Sequence, residues 1–503
     1  MRRSFRYSAA LIIFLICACN LPYKSFISTP DRTQTVSPAI YATQAEPTFI
    51  LQAPSPSPQL ALTETTSLEY DHSRFVAYAV QPGDTLSIVA AHFGVAPAEI
   101  VSSRPLPAQG LLPSNQTLVI PKLQDAAPYT QFLLPDSEIV NSPCGSSFNI
   151  QAYVNAANGR LRPYSQVVDA RTLSGADIIK LVSENNSLNP HFLLAFVEFR
   201  SHWVLGDPAA PDLAHPLGLN IPNNEGLFNE LSTYAQLLNM GYYAWRLGKM
   251  TELPFADGTS ARISPMLNAG SVAVQYLFAR SFGRFSWENQ LYGPNGFLAT
   301  YQKMFGDPMA CARTLEPFFP DALQLPTLEL PFAPGEPWAL TGGLHDDWNA
   351  GTPLGALDFA PITGEPPCAV SRAWVLASAS GMVTRSEKGI LQLALTDEAG
   401  NATGWELFYM HIAEKDRLSV GSHVAANDQI GHPSCEGGVA TGTHVHLARL
   451  YRGEWIGAGD PFPFILSGWL AVPGAQPYQS TLVKGDKVVV ADINGRSKAV
   501  IIR

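Results

Sequence analysis

At Pro320 the chain changes hydrophobic period, and one sheet or one helical bundle cannot accommodate both sides. Upstream, apolar residues recur at helical spacing. "SGADIIKLVSENN" sets Ile178, Ile179 and Val182 on one stripe behind a Ser174 cap. "NPHFLLAFVEFRSHWV" begins with Asn189 as cap and Pro190 at the first helical position. Downstream, "WVLASASGMVTRS", "ILQLALTD", "WELFYMHI" and "HVHLARLY" are short strand-like runs punctuated by glycine. The chain therefore holds a mostly helical unit and an all-β unit. Its 503 residues leave room for about three domains at ~150 residues each.

The N-terminus belongs to neither unit. "MRRSFRYSAALIIFLICACN" has a basic start, an apolar run and then small residues, the pattern of an export signal. Its end, Ile16-Cys17-Ala18-Cys19, resembles a bacterial lipobox. That resemblance implies a lipoprotein signal over 1–18, cleavage before Cys19 and diacylglycerol on the Cys19 thiol. The protein is then exported and membrane-anchored in the cell envelope. Residues 19–74, rich in Ser, Thr, Pro, Ala and Gln, cannot bury enough apolar area to offset their ordering entropy and are expected to form a disordered tether. After residue 20 no run of ~18 apolar residues occurs, so no transmembrane helix is predicted. The net charge of −10 argues against nucleic acid as a partner.

Six cysteines reduce to four once Cys17 leaves with the signal and Cys19 carries lipid. In an exported protein the remainder persist as disulfides, and four cysteines allow three pairings. Cys144 and Cys311 bracket one segment, and Cys368 and Cys435 both lie in the next. The expected pairs are Cys144–Cys311 and Cys368–Cys435.

Residues 75–122 show strand, tight turn, helix, helix, strand. Tyr78 and Val80 alternate in the first strand, Asp84 or Thr85 can cap the helix after the turn, and Leu118, Val119 and Ile120 return. This βααβ segment resembles a LysM module. The resemblance implies that the groove beside Gly83, Asp84, Thr85 and Leu86 binds the glycan strands of peptidoglycan or chitin.

Residues 141–318 are mostly helical, and Glu198 sits between Val197 and Phe199 in an apolar run. Burial would raise its pKa and keep it protonated, as a glycosidic general acid requires. A glutamate near a helix end, then a Gly-rich turn and an aromatic, Asn-rich helix, loosely resembles lysozyme-like transglycosylases. Phe199 stands where that family has serine. The alternative is a structural ion pair with Arg200 or a neighbour. A Pro-rich linker, 320–337, follows.

The all-β unit, 338–470, carries the densest chemistry. His444 and His446 flank one residue at the start of a strand, so they share a face and can converge on one point. His345 follows a Gly-Gly turn, Asp358 is an acid between Leu357 and Phe359, and His411 ends an apolar strand. An acid in that setting needs a partner, and a divalent cation would serve. His423 and His432 read as structural. The motifs "GGLHDDW…GALDFAP", "FYMHI" and "SCEGGVATGTHVHLAR" resemble, in order, the peptidoglycan metalloendopeptidases of the staphylolysin and β-lytic type, relatives of lysostaphin. In lysostaphin proper the first histidine precedes the aspartate by four residues, where this chain has Leu354; the longer spacing to His345 is that of the staphylolysin branch. The resemblance implies an antiparallel sheet or sandwich holding one zinc ion on His345, Asp358 and His446, with His411 and His444 catalytic beside it. Residues 471–503 are expected to add a β-hairpin with Asn494-Gly495 at its turn.

The combined expectation is a multidomain, lipid-anchored zinc peptidase cutting stem peptides or cross-bridges of peptidoglycan, held there by the LysM module. Two alternatives compete with it: a bifunctional wall hydrolase that also uses Glu198, and a non-catalytic wall-binding scaffold that activates another hydrolase.

Overall fold

The computed structural model describes residues 70–122 and 129–503. The export signal, Cys19 and the tether up to residue 69 lie outside the described residues. Among the described residues, no helix is long and apolar enough to cross a membrane.

In the first unit, Phe75–Ala79 pairs antiparallel with Thr117–Pro121, Phe75 opposite Pro121 and Ala79 opposite Thr117. The helix Leu86–Phe93 is capped by Thr85, whose hydroxyl accepts from Ile88 N, and ends at Gly94 with φ 67°. The second helix expected here does not form. Pro97–Glu99 makes one 3-10 turn, and Val101–Ser102 joins the sheet beside Thr117–Pro121. Pro97 opens this turn at its first position, where a missing amide costs nothing, and Pro105 and Pro107 keep a helix from running on downstream. Tyr78, Val89, Phe93, Leu118 and Ile120 form a small core of their own.

The second unit is mostly helical. A capping box starts Gly175–Asn186: the Ser174 hydroxyl accepts from Asp177 N, and the Asp177 carboxylate accepts from Ser174 N. Asn189 caps Pro190–Ser201. The longest helix, Leu227–Arg246, packs against Ala269–Ser281. Two short hairpins, Ser165–Val168 with Arg171–Ser174 and Glu252–Pro254 with Ser260–Arg262, interrupt the helices. The Cys144–Cys311 disulfide joins the two ends of this segment.

The third unit is a nine-stranded antiparallel sheet. Its central neighbours are Ala402–Met410, Val445–Tyr451, Leu354–Pro361 and Pro337–Asp346, in that order. The hairpin expected at Asn494-Gly495 forms earlier, between Thr481–Lys484 and Lys487–Val490, where Gly485 supplies a φ of 60° between two alternating apolar runs. The chain end, Val500–Ile502, instead pairs with Pro337–Asp346 and forms that edge of the sheet, Val500 opposite Ala339.

One largely buried arginine ties the three units together. Arg246 donates through Nη1 to Pro82 O (2.9 Å), through Nη2 to Asp136 Oδ2 (2.7 Å), and through Nε to Glu454 Oε1 (2.9 Å). Tyr242 donates to Glu454 Oε2 (2.6 Å), and His92 stacks on Trp245 with ring centroids 3.6 Å apart.

Candidate metal centre

Sheet register sets the site. His446 on Val445–Tyr451 lies directly opposite Asp358 on Leu354–Pro361, and Asp358 lies opposite Gly342 on the next strand. Directly opposed side chains on one face stand about 5 Å apart at Cβ, so the pair meets without any loop to position it. Irregular register between Gly342 and His345 brings His345 to the same place. Gly342 leaves room for the carboxylate: a Cβ there would come within 2.2 Å of Asp358 Oδ2.

Four backbone carbonyls fix the protons. His345 Nδ1 lies 2.8 Å from Gly343 O, His446 Nε2 2.9 Å from Asp347 O, His411 Nδ1 3.0 Å from Glu436 O, and His444 Nδ1 2.8 Å from Gly442 O. A carbonyl only accepts, so each of these nitrogens carries its ring's hydrogen. In the neutral ring the other nitrogen is then a lone pair. His345 Nε2 and His446 Nδ1 stand 3.0 Å apart, with Asp358 Oδ1 at 3.4 and 3.3 Å from them. The oxygen is buried and has no hydrogen-bond donor.

Three electron-pair donors thus converge within 4.8 Å of one another, and nothing between them donates. Two imidazoles and a carboxylate are the donor set of a catalytic zinc site, and the carbonyl contacts behind the imidazoles are its usual outer support. The residues present fit a divalent cation. Among the described residues a second cluster, Glu138, Cys144 and Cys311, is spent differently: both thiols are in the disulfide, and Glu138 accepts from Tyr301 OH at 2.5 Å.

His444 Nε2 lies 3.8 Å from Asp358 Oδ1, and the His411 and His444 rings are 4.4 Å apart. Burial, with His444 and His446 nearby, pushes His411 down to about 3, so it is neutral. Its φ of 65° is unusual outside glycine, and the amide and hydroxyl of Ser434, at 2.7 and 3.0 Å, both donate to its carbonyl. The Cys368–Cys435 disulfide joins the loops on either side, and Thr443 donates to Ala369 O (2.8 Å) just before His444. His423 is exposed in a sheet-edge strand, and His432 packs at a tilt against Trp374; neither is among the three clustered ligands.

The other candidates are placed differently. Glu198 is buried, and its Oε2 accepts from Val204 N (3.0 Å) and Leu205 N (2.8 Å), fastening the loop after its helix. Arg200 donates instead to Leu217 O. A cleft of about 570 Å³ opens beside Glu198, and Glu198 is the only acid lining it. In the first unit, Asp84 Oδ2 accepts from Tyr78 OH (2.7 Å) and Gln81 N (2.8 Å), and burial lifts its carboxyl to about 6. Gly83, Asp84 and Thr85 are buried, and a Cβ on Gly83 would come within 2.6 Å of the Arg246 guanidinium. Only Leu86 of the four expected glycan contacts is partly exposed.

Sequence reasoning missed the supporting carbonyls and Tyr478, whose ring stacks on His345 at 4.3 Å and 16°. Carbonyls carry no residue signature, and Tyr478 lies 133 positions after the ring it covers, in a Pro- and Gly-rich stretch.

Residues 132–318 match the family model described as LasA, N-terminal domain. Two curated relatives, both named Protease LasA and from two strains of Pseudomonas aeruginosa, are 26% identical over 290 residues and 27% over 288. Each alignment takes in 54% of this chain and 64% of the relative, so the chain spans just under two thirds of the relatives' length. Among solved structures, the M23 metalloprotease pseudoalterin from the deep sea is 22% identical, covering 36% of this chain and all of that one, with a TM-score of 0.30. The catalytic domain of lysostaphin from Staphylococcus simulans is 21% identical, covering 26% and 89%, with a TM-score of 0.18.

Proposed function

We propose that this chain is an exported zinc metalloendopeptidase that hydrolyses peptide bonds in the stem peptides or cross-bridges of peptidoglycan, anchored to the membrane through Cys19. The observation that carries the reading is the convergence of His345 Nε2, His446 Nδ1 and Asp358 Oδ1 with no donor among them, beside two further histidines. The similarity to Protease LasA supports it. His345, Asp358 and His446 hold the ion. Bound there, zinc supplies a Lewis acid for the scissile carbonyl and lowers the pKa of its water toward ~7.

The chain's own groups do the rest. His411 and His444 each spend Nδ1–H on a carbonyl, which leaves Nε2 to accept the water's proton or to donate to the leaving amine. Asp347 and Gly343 keep the two ligand imidazoles in the tautomers that face the ion. The two backbone amides on Glu198 Oε2 support the structural alternative for this residue, fastening the loop after its helix. In the first unit Arg246 packs over the turn at Gly83, which leaves Leu86 as the accessible one of the four glycan-contact candidates.

The test is metal analysis of the purified mature protein together with digestion of purified peptidoglycan, alongside His446→Ala. One zinc per chain and new amino termini that disappear in the variant are expected. No retained metal and no new termini would leave the non-catalytic scaffold as the better account.

A further inference from the structure

The strand that carries His345 lies next to the sheet edge, and parts of the chain's last thirty residues bond to it. Tyr478 N donates to Leu344 O (2.9 Å), Gly343 N to Tyr478 O (3.2 Å), and Leu344 N to Ser480 Oγ (2.6 Å). Further on, Asp492 N donates to Leu340 O (3.0 Å). The fit is close: a Cβ on Gly343 would come within 2.4 Å of Ser480 N. Tyr478 holds a φ of 68° while stacking on His345, a backbone state that a tyrosine adopts only when its surroundings impose it.

This segment also walls a cleft. A groove of about 460 Å³ reaches Asp358 and His444, and Tyr478, Ile493 and Asn494 line it together with Ile362 and Val439. Four large apolar side chains on the groove are strongly exposed: Tyr478 at 46%, Ile362 at 50%, Ile493 at 72% and Val439 at 73%. Exposed apolar groups gathered on one concave surface mark a binding site, whereas scattered ones do not. Apart from Asp358 and His444, the lining has no ionisable group except the Tyr478 phenol. A charged side chain entering it would lose water and find no partner.

We infer that residues 473–503 are part of the peptidase site, Tyr478 positioning His345 while Ile493 and Asn494 hold an uncharged, extended stretch of the peptide substrate. This rests on the peptidase reading above. Tyr478 acts through the ring it covers; Ile493 and Asn494 touch the substrate.

The test measures zinc retention against a chelator, binding of a capped tetraalanine peptide and of its lysine-containing counterpart, and cleavage, all on the mature protein. Tyr478→Leu is expected to lower zinc affinity by about 10- to 100-fold, with Tyr478→Phe like the parent, because the ring and not the hydroxyl stacks. Ile493→Asp is expected to weaken tetraalanine binding roughly tenfold, and binding of the lysine peptide less, with zinc retention unchanged. The exposed Ile493 tolerates substitution, and Ile493→Ala gives the same direction with a smaller effect. Parental zinc retention in Tyr478→Leu, or parental tetraalanine binding in Ile493→Asp, overturns the inference. A parent that binds zinc and peptide but cuts nothing overturns the peptidase reading and leaves the groove assignment supported.

Discussion

Arg246 and Asp358 are both ionisable groups taken out of water, and the chain surrounds them differently. Around Arg246 it supplies two carboxylates, a phenol and a carbonyl, each within hydrogen-bond distance. Burial alone would lower the guanidinium pKa, yet Glu454, Tyr242 and Asp136 raise it well above its usual value. Around Asp358 the chain supplies further electron pairs and no donor. A closed cluster holds parts together, whereas an open one is stable only with something from outside. Connection and chemistry are thereby separated in one molecule.

The largest expected effect is at the open cluster. Asp358→Asn keeps the shape and removes the charge. Zinc stabilises a transition state by several kcal/mol, so cleavage should fall on the order of 10³-fold. Stability should move the other way: in chelator, Asp358→Asn should melt at or above the metal-free parent, because the repulsion it relieves serves only the ion. A clearly lower melting temperature in chelator would mean that the cluster is satisfied without a metal.

Arg246→Met is the matching change at the closed cluster. It leaves the buried Glu454 carboxylate without its counter-charge, which costs about 3–5 kcal/mol. At ~2–4 °C per kcal/mol the melting temperature drops by roughly 10 °C. Zinc retention of the folded variant should be parental. A melting temperature within a degree of the parent would show that the three units are held together without Arg246.

Gly342→Ala sharpens the contrast, since it adds one methyl to the open cluster and removes no ligand. The new Cβ meets Asp358 Oδ2, so the carboxylate must turn, and zinc affinity should fall about 10- to 100-fold. Chelator competition reads it, and an unchanged affinity would mean that Asp358 does not hold the ion from its present position.

The two clusters also differ in how far the sequence discloses them. His345, Asp358, His411, His444 and His446 are conspicuous because each interrupts an apolar strand, and alternation within a strand already puts His444 and His446 on one side. The structure brings all five to one place. The caps at Ser174 and Asn189 and the switch from helices to strands were equally local signals, and the two disulfides followed from which segment each cysteine lies in. Arg246 has no such signature: its partners come from residues 82, 136, 242 and 454, and each is an ordinary residue in its own segment. The same holds for Asn494-Gly495, a good turn pair that lost to Gly485 because the runs flanking Gly485 alternate better and pair with each other. Asp84 and Thr85 show a further limit. Their turn was legible, but its burial under Arg246 depends on residues over 150 positions away.

The smallest effect probes whether the closed cluster is overdetermined. Tyr242 donates to Glu454 Oε2 at 2.6 Å, while Arg246 reaches both oxygens of the same carboxylate at 2.9 and 3.0 Å. Tyr242→Phe removes one donor and leaves the charge neutralised, so the loss is that of one hydrogen bond to a charged group, about 1.5–3 kcal/mol. Its effect should not add to that of Arg246→Met, because both act on Glu454 and such neighbours couple. A melting series of the two single variants and the double measures this directly. Strict additivity would mean that Tyr242 and Arg246 stabilise Glu454 independently; a double variant little worse than Arg246→Met would show that they act as one unit. In neither case should zinc affinity change, since the open cluster draws none of its ligands from this helix.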